Sequence, residues 1–292
     1  MNWLAILREV QNEVTPLLGQ GQVAEYIPAL AKVDPMQFGM AITFNNGQFF
    51  GVGAYKQPFS IQSISKVFSY TLALKEHKDE LFKRVWREPS GNPFNSLVQL
   101  EYEAGIPRNP FINAGAIVVS DSLLSLHKNE NQTVRNILDF IQQCSNDYSI
   151  AFDADVADSE KEHGFRNAAL ASLMKSFGNL DNDVDTVLST YFTQCSIEMS
   201  VKQLSRSMLF LANDGVDPIS GTKFISAALA KRINAIMLTC GHYDASGDFA
   251  FRVGLPGKSG VGGGIVAVVP GQMSIAVYSP ALNEFGNSLV GT

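Results

Sequence analysis

The spacing of hydrophobic positions predicts a helix followed by a hairpin at the start of the chain. Apolar residues in segment 3–18 recur three and four positions apart, which is typical of an amphipathic helix with one buried face. The apolar runs 38–44 and 48–52 flank Asn46-Gly47, a strong signal for a tight turn between antiparallel strands. Because a lone hairpin is only marginally stable, these strands are expected to pair with others.

Strand-like runs return only near the other end of the chain. Residues 249–253, 264–269 and 273–279 predict three strands, and a Pro-Gly turn joins the last two. Together the two groups predict a five-stranded, mostly antiparallel sheet assembled from both ends of the chain.

Between these groups the pattern is almost wholly helical. Predicted helices lie near residues 63–77, 81–86, 114–127, 134–144, 165–177, 183–193, 201–213 and 227–239. Candidate N-caps and candidate helix stops at glycine are Thr133, Ser200, Ser226, Gly178, Gly215 and Gly241. Segment 97–112, which contains Gly and Pro, predicts a long loop.

This order of elements predicts an α/β (α+β) fold with two closely joined domains. Segments 1–62 and 222–292 would form a discontinuous sheet-containing domain, and segment 63–221 an inserted all-helical domain. A chain of 292 residues is long enough for one large core or two. Because ligand sites commonly form where domains meet, we expect the active site at this junction.

Composition and charge narrow the classes of partner. A hydrophobic fraction of 46%, a charged fraction of 17% and a net charge of -6 disfavour nucleic acid and anionic membrane as partners. No apolar stretch approaches the roughly 20 residues of a membrane span. The N-terminus shows no basic leader and no cleavage site, so a cytoplasmic location is expected.

Cysteines and histidines show no pattern of a disulfide framework or a metal site. The three cysteines are widely spaced in apolar helical surroundings, which is typical of reduced core thiols: Cys144, Cys195 and Cys240. The four histidines lack metal-ligand spacing, and His242 is interpreted as structural. We therefore expect no disulfide, metal or other cofactor.

Ser63 and Lys66 form the stretch that most strongly suggests catalysis. They lie three residues apart where a strand-like run becomes a helix, so both side chains share one helical face. The positive end of the helix and burial would lower the pKa of the lysine, which could then accept the proton of the serine.

The Ser-x-x-Lys spacing alone has little specificity because it occurs four times. The other three matches have structural interpretations: Ser125 closes a helical run, Ser172 lies within a helix and Ser220 lies in a turn. Only Ser63 opens a helix directly after strands, which selects it as the candidate nucleophile.

Lys258-Ser259-Gly260 is the second informative motif. It lacks the glycine spacing of a phosphate loop, and it leads into a strand, where a phosphate loop leads into a helix. In this position it is similar to the Lys-Thr/Ser-Gly element of the serine penicillin-recognising enzymes. Its glycines would let a backbone N–H complete an oxyanion hole. The alternative interpretation of this glycine-rich stretch is a flexible loop without a role in the site. The third element of those enzymes, Ser-x-Asn or Tyr-x-Asn, is missing, which implies a different substrate.

Nearly the whole chain resembles the serine-dependent glutaminases, the bacterial and kidney-type family with a β-lactamase-like fold. The matching segments are residues 22–30, 60–66, 109–117, 164–167 with Glu160 before them, and 258–264. The resemblance implies a β-lactamase/penicillin-binding-protein-like architecture. Members of the family continue past the counterpart of residues 286–289 into a closing helix, whereas this sequence ends at Thr292, so the C-terminal packing is expected to differ.

The resemblance also implies roles for individual residues. Ser63 would be the nucleophile and Lys66 its base, and the backbone N–H groups of Ser63 and Val261 would stabilise the oxyanion. Tyr191 and Tyr243 would reach the reacting centre, where Tyr243 would share the proton transfers. The amino-acid end of glutamine would be bound by Tyr26, Asn113, Glu160, Asn167 and Tyr191.

These residue types suit an amino acid, although each has an ordinary alternative. A carboxylate matches an α-ammonium, and amides and hydroxyls match an α-carboxylate. However, Glu160 lies in the polar run 158–162, which is typical of a solvated face. Asn113 and Asn167 precede Ala-rich helices as N-caps do, and Tyr243 could be a core aromatic.

The expected function is hydrolysis of L-glutamine to L-glutamate and ammonia through a γ-glutamyl ester on Ser63, without cofactor or metal. Two alternatives stay open, a β-lactamase-like serine esterase or peptidase and a non-catalytic sensor of glutamine or β-lactams. The family resemblance implies a homodimer or homotetramer.

Overall fold

The computed structural model describes residues 1–90 and 96–292. The strands are β1 (Gly39–Phe44), β2 (Phe49–Gly53), β3 (Phe59–Ser60), β4 (Ala151–Phe152), β5 (Ile197–Met199), β6 (Gly257–Ser259), β7 (Gly264–Val269) and β8 (Met273–Tyr278). The α-helices are α1 (Trp3–Val14), α2 (Pro28–Ala31), α3 (Ser65–His77), α4 (Leu97–Tyr102), α5 (Asn113–His127), α6 (Glu130–Ser145), α7 (Ala154–His163), α8 (Phe165–Ser176), α9 (Val184–Cys195), α10 (Val201–Ser207), α11 (Leu209–Ala212), α12 (Ala227–Cys240) and α13 (Ser246–Arg252). Short 3-10 helices cover Thr15–Leu17, Gln62–Ile64, Lys78–Lys83 and Tyr243–Ala245.

Five strands form the main sheet in the order β2-β1-β8-β7-β6, and every neighbouring pair is antiparallel. The tight turn at Asn46-Gly47 sets the register of the first hairpin, in which Ile42 pairs with Phe50. The hairpin from the start of the chain then pairs with β8 from its end. The predicted sheet built from both ends of the chain is therefore confirmed.

The predicted strand at 249–253 is wrong, because these residues lie in and just after helix α13. A strand would place Phe249 and Phe251 on one face, but Phe249 is buried and Phe251 is 90% exposed, as helical geometry requires. Asp248 and Arg252 stabilise the helix as an i,i+4 ion pair with a distance of 3.3 Å. The fifth strand is β6, which contains the first two residues of the Lys-Ser-Gly motif.

Several helix boundaries also differ from the prediction. Helix α7 and the small sheet β3-β5-β4 were not predicted, and the expected loop 97–112 begins with α4. The first half of the predicted helix 81–86 is the end of the 3-10 helix Lys78–Lys83, and its second half is irregular. The predicted helix 201–213 divides into α10 and α11 at Met208. The N-cap of α6 is Asn129 and not Thr133, whereas Ser200 and Ser226 cap their helices as predicted.

The main sheet buries both faces, since successive residues along a strand point to opposite sides. On one face Ile42 and Val277 pack in a smaller core with α1. On the other face Ala41 and Ala276 join the large core of the helices. Helices α10 and α11 pack directly on the sheet, so the division into domains at residues 63 and 221 stays a prediction.

Helix α3 runs through the middle of the large core. Nine of its 13 residues are buried, and it contacts α5, α6, α9 and α12. The 3-10 turn before its N-terminus contacts β6, β7 and α9, and so lies between the main sheet and the helices. Within the described ranges, no helix has the length and apolar character that crossing a bilayer would require.

Candidate active site

Ser63 lies on a short turn held between the small sheet and helix α3. Ser60 ends strand β3, and the 3-10 turn Gln62–Ile64 leads directly into the helix. Gln62 has a φ of 46°, which places it in the left-handed region that non-glycine residues rarely adopt. Such strain is found where surrounding structure fixes a conformation, as at functional sites.

A glycine-rich loop lies against this turn. A Cβ atom on Gly262 would lie only 2.2 Å from the carbonyl oxygen of Ser60, and one on Gly260 would lie 2.6 Å from that of Ile61. Only glycine therefore permits this approach of two backbones. The loop brings Val261, which lies between these glycines, to the same cavity as Ser63.

Lys66 is fully buried one helical turn beyond Ser63. Its Nζ donates to Asn113 Oδ1 at 2.8 Å and to the carbonyl oxygen of Phe111 at 3.2 Å. Burial lowers the pKa of Lys66 to about 8, while the thiol of Cys195 and the carboxylate of Glu160 oppose the shift. The amine of Lys66 thus loses its proton at a lower pH than that of an ordinary lysine.

Tyr243 contacts Ser63 directly. Its hydroxyl is hydrogen-bonded with the side chain of Ser63 and with the backbone of Val261, and it donates to the carbonyl oxygen of Ser259 at 3.5 Å. Burial raises the pKa of Tyr243, and the hydrogen bond with Ser63 is the first of the contacts that oppose the shift. Tyr243 itself has a left-handed φ of 54°.

Glu160 on helix α7 belongs to the helical side of the cavity, together with Asn113 and Asn167. It is 3% exposed, so the interpretation as a solvated side chain is wrong for this residue. Its Oε1 accepts a hydrogen bond of 2.6 Å from the hydroxyl of Tyr26, and Gln62 also hydrogen-bonds to it. Burial raises the pKa of Glu160, whereas these hydrogen bonds and the charge of Lys66 oppose the shift.

Asn113 and Asn167 face each other at the starts of two helices. Asn113 Nδ2 donates to Asn167 Oδ1 at 3.0 Å. Neither side chain caps its helix, since α5 has Ile112 at its N-cap and Asn167 lies inside α8. The N-cap interpretation of both residues is therefore wrong.

These side chains surround one cavity of about 320 Å³. Its lining residues are Tyr26, Gln62, Ser63, Asn113, Glu160, His163, Gly164, Arg166, Asn167, Tyr191, Cys195, Tyr243 and Val261. The resemblance gave roles to nine residues, and all of them except Lys66 are in this set. The prediction of roles omitted Gln62, His163, Gly164, Arg166 and Cys195, although four of them lie within or beside the matching segments. Cys195, one helical turn after Tyr191, gave no sequence signal of its own.

The remaining Ser-x-x-Lys serines lie outside this cavity. Ser125 Oγ accepts from Asn182 Nδ2 at 2.7 Å, Ser172 is exposed on α8, and Ser220 Oγ donates to Asp217 Oδ2 at 2.6 Å. Their placement agrees with the structural interpretations. Among the described residues, no three His, Cys, Asp or Glu side chains come together as metal ligands would.

A family profile described as glutaminase matches residues 21–292. The chain belongs to the glutaminase family. Among its glutaminase relatives, the protein named Glutaminase from Aliarcobacter butzleri (strain RM4018) is 63% identical over 292 residues, covering 100% of this chain and 95% of that protein.

Solved structures of other glutaminases share the fold. A probable glutaminase of Bacillus subtilis is 33% identical with a TM-score of 0.92, covering 99% of this chain and 93% of that one. Mglu in its tris and glutamate form is 32% identical with a TM-score of 0.92, covering 98% of this chain and 63% of that one. The predicted family and the predicted β-lactamase-like fold are both confirmed.

Proposed function

We propose that this protein hydrolyses L-glutamine to L-glutamate and ammonia through a γ-glutamyl ester on Ser63. The observation that carries the proposal is a single cavity lined by both Ser63 and the buried carboxylate of Glu160. A nucleophile and an anion in one enclosed space suit a substrate with a carboxamide at one end and an ammonium at the other. Membership of the glutaminase family supports the same substrate.

The helical side of the cavity would bind the amino-acid end of glutamine. Glu160 would pair with the α-ammonium, which would also favour the ionised carboxylate and lower its raised pKa. Asn113 and Asn167, together with the hydroxyls of Tyr26 and Tyr191, would bind the α-carboxylate through hydrogen bonds. The glutamate form in which Mglu was solved is consistent with such a site in that relative.

Acylation would begin when neutral Lys66 accepts the proton of Ser63, whose oxygen attacks the side-chain carboxamide carbon. The backbone N–H groups of Ser63 and Val261 would stabilise the negative oxygen of the tetrahedral intermediate. The C–N bond then breaks, and the proton returns through Tyr243 to the leaving group, which departs as ammonia. Water would attack the ester with the same groups acting in reverse, and this route needs no cofactor.

Assembly and location belong to the same proposal. A homodimer or homotetramer is proposed from the family resemblance, and a cytoplasmic location is proposed with it. Light scattering of the purified protein would measure the assembly, and a monomeric mass at micromolar concentration would contradict it.

The test is ammonia release from glutamine by purified protein and by its Ser63→Ala variant. We expect the variant to lose activity while keeping its fold, since no other group replaces the nucleophile. Ser125→Ala and Ser172→Ala are matched controls that alter other Ser-x-x-Lys serines and should retain most activity. Substantial ammonia release by folded Ser63→Ala would refute the mechanism, and turnover of an ester or β-lactam with no turnover of glutamine would favour the esterase or peptidase. Binding of glutamine without any turnover would favour a sensor.

A further inference from the structure

One buried amide connects the C-terminal segment, residues 282–292, to the side of the cavity that carries Tyr243 and Val261. We call this the strand side of the cavity. Asn287 is 1% exposed, and its side chain forms hydrogen bonds in two directions. Its Nδ2 donates to the carbonyl oxygen of His242 at 3.2 Å, and its Oδ1 accepts from the hydroxyl of Ser259 at 2.5 Å. Because an amide carries both a donor and an acceptor, this side chain can join two separate backbone segments.

Each of these segments carries a group used in the proposed reaction. His242 immediately precedes Tyr243, whose backbone is in the left-handed region. Ser259 lies two residues before Val261, and its carbonyl oxygen accepts from the hydroxyl of Tyr243. The amide therefore lies where it can fix the hydroxyl of Tyr243 relative to the N–H of Val261.

The segment that carries Asn287 is itself firmly held. Asn283 accepts from the backbone N–H of Asn287 at 3.1 Å, and its own N–H donates to the carbonyl of Asn287 at 2.8 Å. Leu282 forms two backbone hydrogen bonds with Gln22, four residues before Tyr26, at 3.0 and 2.9 Å. The C-terminal segment thus joins three parts of the chain that are distant in sequence and that each contribute a cavity residue.

We propose that Asn287 is a positioning residue that aligns Tyr243 and the Val261 N–H at Ser63, acting through His242 and Ser259 and without touching the substrate. The proposal rests on the proposed function, because Tyr243 and Val261 act in that reaction. Misplacement of reacting groups by about 1 Å can reduce a rate about 100-fold. An amide that fixes their spacing therefore affects turnover more than binding.

The first measurement compares steady-state kinetics of Asn287→Ala and Ser288→Ala. Ser288, the next residue, is the matched control. Its buried hydroxyl donates to the carbonyl oxygen of Ser279 at 2.6 Å, and within the described residues its side chain forms no hydrogen bond with His242 or Ser259. We expect Asn287→Ala to lower kcat about 10- to 100-fold with KM within about threefold of wild type. Ser288→Ala should keep the wild-type kcat. An equal loss in both variants, or a change in KM alone, would overturn the proposal.

Ser259→Ala removes the donor of the same hydrogen bond, and it tests the proposal alone if Asn287→Ala does not fold. We expect it to lower kcat in the same direction, and the double variant to lose less than the product of the two single effects. Independent, multiplicative effects would show that the Ser259–Asn287 bond does not carry the alignment.

Hydrogen–deuterium exchange separates this proposal from the proposed function, because it does not depend on activity. Asn287→Ala should speed amide exchange in segments 242–246 and 257–263, whereas Ser288→Ala should not. Unchanged exchange there would overturn the positioning role even in an active enzyme. If the wild-type protein released no ammonia but Asn287→Ala still showed faster exchange in these segments, the glutaminase reaction would be refuted and the positioning contact would stand.

Discussion

The two sides of the cavity are built from different chemical groups. The helical side contributes charged and amide side chains, above all Glu160 and Asn113, whose partners are other side chains. The strand side contributes the hydroxyl of Tyr243 and the backbone around Val261, and none of its described lining residues is a carboxylate. The first arrangement suits recognition of an amino acid, and the second suits stabilisation of negative charge that develops during a reaction.

The two buried lysines, Lys66 and Lys258, differ in their surroundings and in their pKa values. Burial lowers the pKa of both, but Cys195 and, to a smaller extent, Glu160 oppose the shift of Lys66, whose pKa is about 8. Lys258 donates to the carbonyl oxygens of Gly241 and Ser259, and burial together with the charge of Lys66 lowers its pKa well below the usual value. Cys195 and Glu160 therefore keep the pKa of Lys66 in the range where an amine can exchange protons near neutral pH and can act as a base.

The largest expected effect comes from Lys66→Arg, which asks whether the base belongs to the helical side. Arginine keeps the positive charge but does not deprotonate, so we expect kcat to fall about 1,000-fold or more with a smaller change in KM. Ammonia release under single-turnover and steady-state conditions measures this. Wild-type turnover with an unchanged pH profile would instead make Tyr243 the leading candidate for the base.

Tyr243→Phe tests the strand side by removing only the hydroxyl that contacts Ser63. We expect kcat to fall about 100-fold, within the range of a lost proton-transfer group. Tyr70→Phe is the matched control, since Tyr70 is also buried and its hydroxyl has no hydrogen-bond partner among the described residues. Equal kcat values for the two variants would remove Tyr243 from the mechanism.

Glu160→Gln tests whether the helical side binds the α-ammonium. Loss of a hydrogen bond between charged groups costs about 1.5 to 3 kcal/mol, which corresponds to a KM increase of about 10- to 150-fold. Glu162→Gln alters an exposed carboxylate on the same helix and should change KM by less than about threefold. Steady-state kinetics with glutamine that leave KM unchanged in Glu160→Gln would contradict the assignment.

The pH profile gives the smallest effect. The neutral amine of Lys66 becomes available as pH rises through its pKa of about 8. We therefore expect kcat/KM to rise about tenfold per pH unit below that value and to level off above it. Because Glu160 raises the pKa of Lys66, Glu160→Gln should move the rising limb to lower pH. A limb that stays in place would show that the titrating group is not Lys66.

The sequence by itself determined the features that depend on neighbouring residues. Asn46-Gly47 specified the first hairpin because few other dipeptides adopt its turn. Ser63 was selected from four similar motifs because the chain changes from strand to helix there, and the structure places that serine alone of the four in the cavity. The Lys-Ser-Gly motif likewise lies at the start of the glycine loop that approaches Ser63.

Only the tertiary structure decided which polar residues are buried and what they contact. Glu160 has exposed neighbours at 158 and 162, yet it is buried and hydrogen-bonded to Tyr26, 134 residues away, and to Gln62. Phe249 has strong strand propensity, yet it lies in a helix whose inner face stacks on His242. Local periodicity records which side of an element is apolar, but the partners of a side chain depend on contacts between distant parts of the chain.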